Sequence, residues 1–154
     1  MQKTNLNIDF GGTAYAGFDF SALPLAGALM IACQQIDQTA DQARRNVLGD
    51  PLRAVEYRLT AEEVEGFAAA DYSGPVPATV QAWADAAELE SQAATDSILV
   101  VAHAWEAAIY PIRAARLAGK QKVLKAQTHD AAEVLADAAT AAIRASVQGV
   151  GNAA

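Results

Sequence analysis

The side chains able to do chemistry are few and far apart. Histidine occurs twice, at His103 and His129. His103 and Glu106 are spaced to share one helical face and could form a hydrogen-bonded pair. A metal centre needs several such donors converging, so this spacing reads as a surface or interface pair and no metal site is expected. Cys33 stands alone, which excludes a disulfide scaffold. A nucleophilic thiol needs a neighbouring base or positive charge, yet Cys33 follows Leu29-Met30-Ile31 and reads as a buried structural cysteine. Gly11-Gly12 and Gly17 lack the Lys-Ser/Thr pair and the strand–loop–helix frame of a phosphate loop. The adjacent carboxylates Glu62 and Glu63 suit the first turn of a helix, where negative charge is favoured. Trp83 and Trp105 fall on apolar stripes and read as core or interface anchors. The expectation is a non-enzymatic protein with no cofactor and no small-molecule substrate.

Charge is strongly segregated. The chain carries a formal charge of −7. From Leu59 to Ile112 there is no Lys or Arg, while nine acids occur: Glu62, Glu63, Glu65, Asp71, Asp85, Glu88, Glu90, Asp96 and Glu106. Arg113, Arg116, Lys120, Lys122 and Lys125 then follow with no acid between them. Net negative charge disfavours nucleic acid except at a local basic patch. The basic run is therefore expected to meet the acidic one, within a bundle or between subunits, with contact to an acidic partner or DNA as the sharper alternative.

Length and composition bound the scaffold. At 154 residues the chain suits one domain, and 53% of it is hydrophobic. Alanine supplies 38 of those positions and aromatics only 6% of the chain, so helices can pack closely but a wide apolar cavity is not expected. The apolar run 22–33 is shorter than the roughly 20 residues a membrane span requires. The segment before it carries Asp9 and Asp19 against Lys3, which does not suit a signal peptide, so cytoplasmic synthesis without processing is expected.

Periodicity predicts a mainly α chain: a helical bundle with long antiparallel helices, preceded by an N-terminal β-hairpin or extended arm. Leu6, Ile8 and Phe10 alternate with polar residues, Gly11-Gly12 signals a tight turn, and Ala14, Ala16, Phe18 and Phe20 resume the even spacing. Such a hairpin needs a surface to lie on, either this chain's helices or a sheet edge elsewhere. Ser21 is the expected cap of a first helix built on Leu25, Leu29, Ala32 or Cys33, Ile36, Ala40 and Ala43, ending at Gly49-Asp50-Pro51. Thr60-Ala61-Glu62-Glu63 resembles a capping box opening a second helix through Val64 and Phe67. Pro77 opens a third. The longest helix starts near Ser91 or Thr95, with a seam at Ile98, Ala102, Trp105, Ile109 and Ile112 and a kink or restart expected at Pro111. A last helix over about 130–147 has a thin seam at Val134, Ala138, Ala141 and Ala145. The organisation expected is an arm over 1–20, a bundle over 21–148 and a fraying tail over 149–154.

The stretches Tyr57-Arg58-Leu59-Thr60-Ala61-Glu62-Glu63-Val64, Ala82-Trp83-Ala84-Asp85, Trp105-Glu106-Ala107-Ala108 and Ile112-Arg113-Ala114-Ala115-Arg116-Leu117-Ala118-Gly119-Lys120 give residues 52–125 a recognisable texture. The chain there resembles small helical proteins encoded among the tail genes of tailed bacteriophages. The resemblance implies a structural component of the virion, a tail, collar or fibre-attachment adaptor. Its partners would be copies of itself and other virion proteins, with no membrane involved. It carries over no functional residues. A tail-assembly chaperone or scaffold and a cellular helical adaptor stand as alternatives. On the structural reading, Phe10, Phe18 and Phe20 are the expected docking side chains of the arm. Trp105 and Ile109 would anchor the helical seam, and Arg113, Arg116, Lys120, Lys122 and Lys125 are the candidates for contact with an acidic partner.

Overall fold

A computed structural model describes residues 1–49 and 51–148. The expected tail over 149–154 lies outside the described residues, as does Asp50. The chain is mainly helical with an N-terminal hairpin, as its periodicity predicts. Strands β1 (Leu6–Phe10) and β2 (Thr13–Phe18) pair antiparallel. Helices α1 (Leu25–Leu48), α2 (Pro51–Ala69), α3 (Ala78–Ala87), α4 (Ser91–Val123) and α5 (His129–Ala145) follow.

Gly11 and Gly12 both take positive φ, which a type I′ hairpin turn demands of its two central residues. The even spacing of β2 does not continue to its end. Leu6 faces Phe18 but Ile8 faces Tyr15, so Ala16 and Gly17 together oppose Asn7. Gly17 adopts positive φ, and its N–H donates to Asn7 Oδ1 at 3.0 Å. The bulge turns Phe18 outward, where it packs edge-on against Tyr15 and remains 39% exposed.

The hairpin lies on this chain's own helices. Phe20, in a 3-10 turn over Phe20–Ala22, is only 3% exposed and joins Leu6 and Leu23 in the main core. Its ring meets His129 of α5 edge-on. Phe10 covers Gly27 of α1, whose added Cβ would stand 3.4 Å from the Phe10 ring. The preceding segment is sewn down as well. The Gln2 N–H donates to Gln35 Oε1 and Gln35 Nε2 donates to the Gln2 carbonyl, at 2.7 and 2.9 Å. Lys3 pairs with Glu133, and the Met1 amino group with Asp137. Phe20 and Phe10 thus lie on this chain's own helices, as a two-stranded ribbon that is stable only on an apolar support requires, and α1 and α5 supply that support.

The helix boundaries differ from expectation in three places. Ser21 belongs to the 3-10 turn and Pro24 takes the cap position of α1. Helix α2 begins at Pro51, whose fixed φ and missing N–H suit a first helical position, so Thr60–Glu63 lies mid-helix. Helix α4 runs through Pro111 without interruption; Pro111 and Ala107, whose carbonyl would otherwise accept from the missing N–H, are both exposed residues.

Two apolar clusters share α4. The larger unites the hairpin, α1, α5 and the second half of α4, with Ile36, Ile112 and Ile143 at its centre. The smaller joins Val64 of α2, Val80 and Ala84 of α3, and Ala94 of α4. Trp105 and Ile109 pack, partly buried, against the larger cluster, so the seam they anchor faces this chain's own bundle. In α5 the buried row is Ala132, Ala136, Ala139 and Ile143, not the expected one. Val134 is 67% exposed, and Ala138, Ala141 and Ala145 face solvent with it. Thr128 caps this helix, its side chain accepting from the Ala131 N–H.

Candidate functional site

Helix α4 carries the features that can act outward. Its inner side buries Ala94, Ala108, Ile112, Gly119 and Val123. A helix turns about 100° per residue, which puts a second row on the opposite side: Val100, His103, Ala107, Tyr110, Ala114, Leu117, Gln121 and Leu124. All eight are exposed. They are spaced alternately by three and four residues, the period of a helix-pairing seam. Val100 and Tyr110 are more than two-thirds open to solvent. No charged residue lies on the row, which spans about 36 Å at 1.5 Å per residue. Apart from His103 and Gln121 the row is apolar, so α4 turns an extended, mostly apolar stripe toward water.

The five bases beyond Ile112 divide into two groups. Arg116 and Lys120 turn inward to Asp37 of α1, at 3.0 and 2.5 Å. Arg113, Lys122 and Lys125 are exposed and make no ion pair among the described residues. The expected meeting of the acidic and basic runs does not occur within the chain: the two inward bases take Asp37 instead, which comes from a distant helix. Among the described residues no base of the run pairs with any of the nine acids.

Partial burial alone would raise the Asp37 carboxyl, but hydrogen bonds from Lys120 and Arg116 and their charges outweigh it and hold it below its usual value. Such a group contributes stability above its unfolded pKa of about 4, and that contribution is lost as pH falls through the lower folded value. All three side chains are about 30% exposed. Solvent screening therefore trims the charge-assisted bonds, and Asp37→Asn should cost about 1–2 kcal/mol at pH 7. Urea unfolding at pH 7 and pH 3 checks this: the gap between wild type and variant should narrow at the lower pH.

The remaining candidates form no common centre. His103 and Glu106 are both exposed and do not bond to one another. Burial pushes the Cys33 thiol up, opposite to a nucleophile's need, and its Sγ lies 3.9 Å from the Lys120 carbonyl. Trp83 is half exposed and ties α3 to α4 by donating from Nε1 to Ser97 Oγ at 2.9 Å. A shallow polar groove of about 750 Å³ runs between α1 and α5, past Gln2, Gln35, Gln38, Gln42 and Thr140. Among the described residues no group of three His, Cys, Asp or Glu side chains could hold a metal ion, and no helix is long and apolar enough to cross a membrane.

Sequence reading found the inner seam of α4 and missed the outer one. The signal was present as a second alternation of three and four residues, but alanines at Ala107 and Ala114 dilute it. No protein-family model, curated protein or solved structure matches the chain.

Proposed function

We propose that this chain is a non-enzymatic structural subunit that works by packing the outer face of α4 against another protein. The observation that carries the reading is the uncharged, solvent-facing row from Val100 to Leu124 on a helix whose other side is already buried. A helix exposing apolar residues at pairing spacing gains stability by covering them, at about 25 cal/mol per Å² removed from water. The resemblance of residues 52–125 to phage tail-gene proteins supplies the setting: a tail, collar or fibre-attachment component of a virion, in contact with other structural proteins.

Purified phage particles test this. Quantitative mass spectrometry should find the chain at a fixed copy number in intact particles. Tyr110→Glu combined with Leu117→Glu should leave the fold intact, because both side chains are exposed, and should deplete the chain from particles at least tenfold. A chain found only in assembly intermediates would overturn the virion role and make it an assembly factor that leaves.

A further inference from the structure

The outer face of α4 also indicates what covers it. Resting on the reading of that face as a packing surface, we propose that its occupant is a second copy of this chain. The two α4 helices run antiparallel about a two-fold axis level with Ile112.

The first argument is charge. On α4 itself the acids Asp96 and Glu106 precede Arg113 with no base between them, and the bases after Ile112 that make no ion pair among the described residues are Arg113, Lys122 and, just past the helix, Lys125. Parallel pairing would set acidic half against acidic half, and basic against basic. Antiparallel pairing sets each acidic half against the basic half of the other copy. It brings Asp96 within one helical turn of Lys125 of the second copy, and Glu106 within about 6 Å, measured along the helix axis, of its Lys122. Lys125 is one of the bases with no ion pair inside the chain.

The second argument is size. With the axis at Ile112, Val100 faces Leu124 of the second copy, Ala107 faces Leu117, and Ala114 faces Tyr110. The two polar members, His103 and Gln121, face each other. In the two layers nearest the axis alanine opposes a large residue, as interdigitating layers require; in the outermost Val opposes Leu; and polar opposes polar between them, a layer that fixes register. Each layer occurs twice by symmetry, so the contact closes on itself and yields a discrete dimer rather than a fibre.

Cysteine pairing tests both partner and direction. Val100→Cys and Leu124→Cys chains are prepared separately, with native Cys33 left in its buried site, then oxidised alone and as an equal mixture. The expected result is a covalent species of twice the 16.0 kDa chain mass, formed in the mixture at least ten times faster than in either variant alone. Equally fast cross-linking of each variant with itself would overturn the antiparallel arrangement. No cross-linking in the mixture would overturn the second copy as occupant. If Tyr110→Glu/Leu117→Glu still loses its place in particles in that case, the packing role of the face stands with a different protein on it.

Discussion

Replacing Gly119 with alanine should destabilise the protein, although alanine is the better helix former by about 1 kcal/mol. An added Cβ at Gly119 would lie 2.3 Å from the Cβ of Ala139 on α5, and real Cβ atoms essentially never approach within 3.0 Å. The obstacle is fixed to backbone, so relief requires α4 and α5 to separate. Ile36 of α1 closes the third side, with its Cδ1 3.6 Å from the same point. Overpacking ordinarily costs about 1–3 kcal/mol, and a junction of three helices belongs at the upper end of that range. Gly119→Val should be worse. The reciprocal exchange isolates the cause. In Gly119→Ala/Ala139→Gly the new Cβ would stand 3.6 Å from the Cα of residue 139, an ordinary contact. The double variant should recover to within about 1 kcal/mol of wild type, and Ala139→Gly alone should cost about 1 kcal/mol through lost helix propensity. Thermal denaturation of the four proteins measures the coupling. Additive losses would show that the helices are not locked at this point.

The second large effect separates Phe20 from Phe18. Phe20→Ala removes a ring buried between the hairpin, α1 and α5, and should cost about 3–5 kcal/mol. For a chain of this length that is a fall in Tm of roughly 6–20 °C, with the helical circular dichroism lost in the same transition. Phe18→Ala should move the midpoint little, because its ring is partly open to water and touches chiefly Tyr15. Equal and small effects would mean that the arm stands apart from the bundle. The expected difference follows from Phe20 and Leu6 anchoring the arm in the bundle's core.

The contrast between these phenylalanines shows where periodicity stops being informative. Both fall on one face of an unbroken strand pattern. The bulge at Ala16–Gly17 breaks it, and the signal for that bulge was an isolated glycine inside a strand. The apolar face of α1 was legible because Ile36 interrupts a background of polar residues. Helix α5 was not: alanines recur on every side of it, and a seam can be drawn through Val134 as readily as through Ile143. The side chain that decides is Ile143, together with the space left by Gly119 on α4, a fact of tertiary packing. Gly119 itself reads in sequence as a weak point of a helix, whereas its missing side chain is what lets two helices touch. Asp37 was silent for a similar reason, since its partners Arg116 and Lys120 lie more than two helices away along the chain.

The outer row of α4 escaped notice because the same helix carries a stronger inner one. A helix with one seam completes a bundle; with two, it completes a bundle and presents a surface. Association through that surface is the central claim, and the most direct measurement is solution mass by light scattering over a range of concentrations. Wild type and Tyr110→Glu/Leu117→Glu are run side by side. The wild-type mass should rise with concentration to a discrete multiple of 16.0 kDa, while the variant stays at one chain with unchanged helical circular dichroism. Identical masses for the two proteins at every concentration would contradict it.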